Sequence, residues 1–485
     1  MCITLIDTSV SGAFSLQKKS FEPLTRFSKS VVIVAIPPDM QAPPIKAYVY
    51  PGYGIVSVGK VAVEVTLQLY LFDFYTRILG LSPLLAGLAF AVAILWDAIS
   101  DVIVSLGLIA IRRQGVSYSA LMWTGACLLA CTTVFLFSPA IGSTQMQLFL
   151  HLLVAYVLVN TGMTLLDLPQ SSLSAELTTS ANERNKLLAS RMGFGIFGLA
   201  IGSALPGFFI AQHAGVVSDD LLRSSREMSA WVLAAMVLVG ATVTVCMIRR
   251  RERATQHTAP RQLPGRSEFL SLLKDRGFMS VLYAGVIAAV ARTVNAALAL
   301  IYYRLVLSLS EAQVTQAIFP VFTLCIVASI PLWICLSKRY GKQRPAACAV
   351  FLLGAVGCIA YPLLPASVLW PTLLVSVVTG VLCGAVFLVE SMITDCIDAD
   401  AIQTSKRKEA LYFAVWKSGL KVARAIAFVC VGVGLHLQGI DLGAESVSPQ
   451  LKNGIVLLFG VFVGMCFMLS GWYLSRARVP APLET

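Results

Sequence analysis

Two acidic residues lie one helical turn apart within an apolar stretch of this sequence. Asp97 and Asp101 occur in the segment SPLLAGLAFAVAILWDAISDVIVSLGLIAI, where nearly all neighbours are apolar. Because four residues make about one helical turn, both carboxylates project from the same face. Like charges repel strongly at low dielectric, so at least one carboxylate needs a counter-ion or a proton. The spacing predicts a site for a cation or a proton.

A third acid, Asp167, precedes Leu168-Pro169 in another apolar stretch and has no local partner. Three carboxylates that converge from two helices bind a hard cation such as sodium through oxygen, or share a proton. We therefore predict that Asp97, Asp101 and Asp167 form the cation site, and that they are the metal ligands if the ion is sodium. Lys421 and Arg191 are predicted to face the same cavity, where a bound cation displaces or reorients them.

The alternative role for charges inside apolar segments is structural, because ion pairs pin helices together and long side chains reach the membrane surface. Lys60 and Glu64 are a candidate pair of this kind, since they have opposite signs and lie one turn apart. Lys417 and Arg424 lie in a later apolar segment, 410–436, that begins at the predicted cytoplasmic side, and they fit the same interpretation.

The elements that carry these charges are predicted to be membrane-spanning helices. The chain has 485 residues, of which 57% are hydrophobic and 13% charged, and its mean hydropathy is +0.79, whereas soluble domains carry about 25% charged residues. Apolar stretches near the spanning length of about 20 residues occur at 52–75, 82–109, 116–138, 145–168, 190–212, 229–248, 278–303, 313–337, 344–364, 369–394, 410–436 and 453–475.

The net charge of +12 is explained by basic residues that cluster in alternate loops. Cytoplasmic loops of membrane proteins collect Lys and Arg. The basic loops therefore predict a protein of the bacterial plasma membrane with both termini in the cytoplasm. Because this accounts for the net charge, no nucleic-acid partner is expected.

The polar segment 249–277 divides the twelve spans into two groups of six. The predicted units are a tail (1–48), a first half (49–248), a linker (249–277), a second half (278–475) and a second tail (476–485). This is an all-α major facilitator plan, with twelve helices in two pseudo-symmetric halves around a central cavity.

Several segments resemble the glycoside–pentoside–hexuronide:cation symporters, the melibiose permease family of the major facilitators. They are GYGIVSVGK, WDAISD with the following RRQG, LLDLPQSSLSAELTTSANERNKLLASRMGFG and SMITDCIDADAIQTSKRKEALYFAVWKSGLK. The resemblance implies a cation-coupled symporter that works by alternating access, with Asp97, Asp101 and Asp167 at the family's cation positions. It also implies substrate contacts, at Lys60, Gln170, Ser171, Arg191, Trp416 and Lys421.

The chain departs from the sugar-transporting pattern at two positions. An acid usually follows the first-helix lysine, where this chain has Val61, and an aromatic residue often occupies the position of Ser171. A sugar or glycoside is the expected substrate, carried with Na⁺ or H⁺ and without another cofactor. An amphipathic substrate such as a lysolipid is the alternative.

The sequence also bears on two other classes of function, an enzyme and a protein that does not transport. The four histidines are isolated from one another, and GxSxG, HExxH and P-loop patterns do not occur, so we predict that the protein is not an enzyme. A sensor or scaffold that kept the fold and lost transport is the remaining possibility. We expect a monomer whose partners are a small-molecule substrate and membrane lipid.

Overall fold

A computed structural model of the chain describes residues 45–113, 116–140, 143–178, 180–211, 218–254, 266–404, 408–438 and 449–477. Twelve helices in these ranges are long and apolar enough to cross a membrane. They are α1 (Val49–Leu71), α2 (Pro83–Ser105), α3 (Tyr118–Phe137), α4 (Gln145–Ser174), α5 (Asn182–Ile210), α6 (Asp219–Arg249), α7 (Arg276–Val306), α8 (Glu311–Tyr340), α9 (Gln343–Leu363), α10 (Leu369–Ile402), α11 (Leu411–Leu437) and α12 (Pro449–Arg476).

Each predicted span overlaps one of these helices, but several helices continue past the predicted limits. The helix that contains α4 runs from Gln145 to Glu176 with Pro169 inside it, and the helix that contains α6 runs from Asp219 to Ala254. Apolarity marks the part of a helix that lies in hydrocarbon, whereas the polar turns at its ends carry no such signal. A proline is tolerated within a membrane helix because neighbouring groups satisfy the freed carbonyl.

The helices pack in two sets of six. In the first set, α1 contacts α5 and α6, while α4 contacts α2 and α3. In the second set, α7 contacts α11 and α12, α9 contacts α12, and α8 contacts α10. The two sets meet where α2 packs on α11, α1 on α7 and α5 on α8. The predicted boundaries at 48, 249, 277 and 475 stay predictions; much of both tails and of the linker, namely residues 1–44, 255–265 and 478–485, lies outside the described ranges.

The contact between α2 and α11 is closest near the start of α2. A Cβ atom at Gly87 would lie 2.5 Å from the carbonyl oxygen of Phe428, and a Cβ at Gly432 would lie 2.7 Å from that of Pro83. These glycines therefore allow the two backbones to touch. Beside them, the rings of Phe90 and Phe428 stack with centroids 4.4 Å apart.

A group of five charges, three of them buried, joins both sets at the end of the bundle where α1 and α7 end and α6 and α8 begin. This Glu311 cluster consists of Asp73, Arg77, Arg226, Arg304 and Glu311. Glu311 accepts hydrogen bonds from Arg226 and Arg304, and Nη2 of Arg77 lies 3.5 Å from its Oε2. The side chains of Glu311 and Arg226 are 0% exposed. By the loop charges, this end is predicted to face away from the cytoplasm.

Asp73 supplies the second negative charge of the Glu311 cluster. Its carboxylate accepts hydrogen bonds from Arg77 at 2.8 and 2.9 Å. Both carboxylates are fully buried; Glu311 is compensated by arginines from other helices, and Asp73 by Arg77, which lies one turn away on its own segment.

Candidate functional site

Asp97 and Asp101 face α4 and α11 from one side of α2, as their spacing predicts. The hydroxyl oxygen of Thr164, on α4, lies 3.2 Å from Oδ1 of Asp97 and 2.9 Å from Oδ1 of Asp101. Because a hydroxyl has one proton, Thr164 donates to only one carboxylate at a time. The three side chains therefore present a compact set of oxygen atoms.

Lys421 reaches this pair from α11, in the other set of helices. Its Nζ lies 2.5 Å from Oδ2 of Asp101, 2.9 Å from Oδ2 of Asp97 and 3.1 Å from the carbonyl oxygen of Asp97. An ammonium group has three donors, so these three acceptors saturate it. The acid pair with Lys421, termed here the α2–α11 clamp, carries a net charge of −1.

Asp167 lies in a separate ion-pair group on the next turn of α4. Its Oδ1 accepts hydrogen bonds from Lys60 and from Nη2 of Arg191, the latter at 2.5 Å. Nη1 of Arg191 donates to the hydroxyl of Ser171 at 2.8 Å. Lys60 pairs with Asp167 and not with Glu64, the partner that the one-turn spacing and the opposite charge suggested. This group, the Asp167 cluster, carries a net charge of +1.

The structure thus brings together Asp97, Asp101 and Lys421 in one place and Asp167, Lys60 and Arg191 in another. Thr164 and Asp167 are three residues apart, which corresponds to about 4.5 Å along the axis of α4, so the two groups are adjacent. In this structure Lys60 and Arg191 hold Asp167, whereas Lys421 holds Asp97 and Asp101, so a cation site shared by all three acids stays a prediction. Within the described ranges, no group of three or more His, Cys, Asp or Glu residues could hold a metal ion.

Two residues predicted to contact substrate are buried in this structure. Gln170 is 0% exposed; its Nε2 donates to the carbonyl oxygen of Tyr53 at 2.9 Å, and the Tyr53 hydroxyl donates back to the carbonyl oxygen of Gln170 at 2.8 Å. Trp416 is 4% exposed and packs on Gly285, where a Cβ would lie 2.1 Å from the indole ring. Both side chains join helices in this structure, and their contact with substrate stays a prediction.

We expect Gln170→Leu to destabilise the protein by about 1–2 kcal/mol, because the change removes a buried hydrogen bond between α4 and α1. The measurement is the thermal unfolding of the purified protein. Gln68→Leu is the matched control, since Gln68 is exposed and its amide lies 3.4 Å from Glu64. Equal unfolding temperatures for the two variants would contradict the structural role of Gln170.

Thr164 was missed by sequence reasoning. Threonine is common in membrane helices and carries no charge, so its type alone does not single it out. Its place three residues before Asp167 puts both side chains on one face of α4. That spacing is the signal that could have found it.

The comparisons with known proteins agree with this architecture. Residues 52–481 match the family model described as MFS/sugar transport protein. The chain is 23% identical over 432 residues to a sodium-dependent lysophosphatidylcholine symporter from Danio rerio, which covers 82% of this chain and 79% of the relative. It is 24% identical over 447 residues to the putative glycoside/cation symporter YagG of Escherichia coli (strain K12), covering 89% and 92%.

A solved structure shows the same fold. The crystal structure of a D-xylose-proton symporter superposes with a TM-score of 0.60 at 13% sequence identity, and the match covers 90% of this chain and 97% of the other. At that identity the likeness concerns the fold alone. The architecture is therefore a multi-pass bundle of major facilitator type.

Proposed function

The chain belongs to the MFS/sugar transport protein family, and we propose that it is a cation-coupled symporter of a small organic solute that works by alternating access. The observation that carries the proposal is the α2–α11 clamp. Lys421 links two carboxylates across the boundary between the two sets of helices. The loop charges support a placement of both termini in the cytoplasm.

The cation site is proposed to consist of Asp97, Asp101 and Thr164. Carboxylate and hydroxyl oxygens are the donors that hard cations prefer. A sodium ion or a proton competes with Lys421 for the same Oδ2 atoms, because both cannot hold them at once. Asp167 completes the site only if a rearrangement releases it from Lys60 and Arg191.

This competition supplies the coupling. With Lys421 bound, α2 and α11 are fastened to each other; with a cation bound, that ion pair is lost and the two sets of helices are free to separate. A ligand shifts a conformational equilibrium only through its different affinity for the two states. The cation meets that condition here, because the carboxylate oxygens of Asp97 and Asp101 are free to bind it only in the state from which Lys421 has been displaced.

The Asp167 cluster is the proposed substrate site. Asp167 and Arg191 offer charged acceptors and donors to the hydroxyls of a sugar or glycoside, and Ser171 adds a hydroxyl within reach of Arg191. Charged hydrogen-bonding groups discriminate strongly for a substrate that satisfies them. The relative named as a glycoside/cation symporter supports this substrate class.

An amphipathic substrate is the second candidate. Two cations surround the single carboxylate of the Asp167 cluster, so an anionic headgroup would be attracted there. The relative named as a lysophosphatidylcholine symporter supports the same interpretation. A lysolipid and a glycoside can be told apart directly, because only one of them will stabilise the protein.

The test is a thermal-shift screen of the purified protein with sugars, glycosides, organic acids and lysolipids, each with and without sodium and at several pH values. A ligand that binds the folded state raises the unfolding temperature. We expect one class to stabilise the protein, and to do so more strongly with sodium or at lower pH. Stabilisation that is independent of both would contradict cation coupling, and ligand binding without counterflow in vesicles would indicate a sensor.

We expect Thr164→Val to weaken cation binding about 10-fold, because the change removes one oxygen ligand at constant side-chain volume. The measurement is the sodium concentration, or the pH, at half-maximal stabilisation of the protein. Thr164→Ser keeps the hydroxyl and should resemble the parent. If the valine and serine variants have the same midpoint, Thr164 is not a ligand.

A further inference from the structure

The start of α9 and the end of α12 are fastened together at the surface of the bundle. The Nε2 atom of Gln343 donates to the carbonyl oxygens of Leu474 and Ala477 at 2.9 and 2.6 Å. One turn earlier on α12, a Cβ at Gly471 would lie 2.7 Å from the backbone nitrogen of Phe351. The two helices therefore form a fixed pair at this end.

A groove of about 360 Å³ runs along the outside of this pair. Arg344, Cys348 and Phe351 line it from α9 at spacings of four and three residues, which place them on one face. Trp472 and Ser475 line it from α12. The exposed fractions of Phe351 and Trp472 are 45% and 42%. The groove is thus an apolar surface with an arginine at one end.

The cations at this end of the groove have no acidic partner among the described residues. The guanidinium of Arg476 lies over the ring of Trp472, 4.2 Å from its centroid, and Arg344 is exposed. The nearby Asp395 is held by Lys342 at 2.6 Å, so it does not compensate the arginines. The basic residues of the neighbouring loops predict that this end of the bundle lies at the cytoplasmic surface of the membrane. Anionic lipids at that surface attract basic segments.

We propose that this groove binds one anionic phospholipid. The phosphate lies between Arg344 and Arg476, and an acyl chain follows Cys348 and Phe351 along α9. Basic pockets between membrane helices on the cytoplasmic side are suited to anionic headgroups. The lipid contacts neither the α2–α11 clamp nor the Asp167 cluster, so this site is independent of the proposed transport function.

The test is native mass spectrometry of the full-length protein, titrated with phosphatidylglycerol or with phosphatidylcholine of the same acyl chains. We expect one phosphatidylglycerol to bind in preference to phosphatidylcholine. Each basic residue near a membrane surface contributes about 1 kcal/mol to such attraction, so the double variant R344Q/R476Q should bind phosphatidylglycerol about 30-fold more weakly. Cys348→Phe should also weaken binding, because the new ring fills the groove.

The matched control is R184Q/R249Q, which removes two exposed arginines from the same predicted surface in the other set of helices. It should retain the binding of the parent. The proposal is overturned if phosphatidylcholine binds equally well, or if the control loses as much binding as R344Q/R476Q. It is also overturned if free phosphate competes with the lipid and Cys348→Phe has no effect, because the site would then hold an anion and no acyl chain.

Another occupant would give a different result. Residues 478–485 follow α12 directly and are near enough in sequence to cover the groove. If they fill it, their deletion raises phosphatidylglycerol binding while R344Q/R476Q leaves the binding of the full-length chain unchanged. That outcome also overturns the proposal.

Discussion

Asp97→Asn and Asp101→Asn should each reduce cation-driven uptake by about 100-fold, within the range of known coupling energies. Either change leaves a single carboxylate facing Lys421. The ammonium then neutralises that carboxylate fully, and a cation has no remaining negative charge to attract it. The variants should keep the fold, because a neutral amide of the same size replaces each carboxylate and the remaining carboxylate still pairs with Lys421.

The measurement is uptake into proteoliposomes under an imposed sodium or proton gradient, together with the thermal unfolding of each variant. Asp220→Asn, in an exposed position at the start of α6, is the control for the loss of one acid and should transport normally. Unchanged sodium and pH dependence in either asparagine variant would remove the acid pair from the mechanism.

Glu311→Gln should destabilise the folded protein by about 3–5 kcal/mol, the cost of breaking a buried ion pair by removal of one partner. Glu311 accepts hydrogen bonds from Arg226 and Arg304 and lies within 3.5 Å of Arg77. Glutamine fills the same volume but brings no charge. Asp73 is then the only buried acid left for the three arginines of the cluster, and arginine cannot lose its proton to relieve the excess positive charge.

Asp219→Asn is the matched control for this prediction. Its carboxylate lies 3.8 Å from the same Arg77, yet its side chain is 75% exposed, and exposed ion pairs contribute little. Its unfolding temperature should stay close to that of the parent. If Glu311→Gln unfolds at the same temperature as Asp219→Asn, the burial of the Glu311 cluster does not matter for stability.

The positions of the twelve spans and the shared face of the acid pair could be predicted from the sequence. The ion-pair partner of each buried charge could not. The twelve helices follow from apolar length, and the shared face of Asp97 and Asp101 follows from helical spacing. The choice of Lys60 between Glu64 and Asp167 depends on how α1 packs on α4, over 107 residues of chain. The spacing of residues within one helix carries no information about how two helices pack.

The Glu311 cluster is a second case in which contacts between helices could not be predicted from the local sequence. Arg226 lies in the segment SDDLLRSSRE, between the apolar stretches 190–212 and 229–248, so the sequence alone places it outside the spans. In the structure Arg226 is a buried residue of α6, because the arginines that meet there come from the ends of separate helices. The family resemblance implies substrate contacts for Gln170 and Trp416, whereas in this structure both side chains are buried and pack between helices.

The backbone contact at Gly87 and Gly432 has a mechanical consequence. Asp97 lies ten residues along α2 from Gly87, which is a distance of about 15 Å. If the touching glycines act as a pivot, a tilt of about 15°, similar to known rigid-body rotations in proteins, displaces the far end by about 4 Å. A small hinge at one membrane surface is then sufficient to pull Lys421 out of reach of its acids, without unwinding any helix.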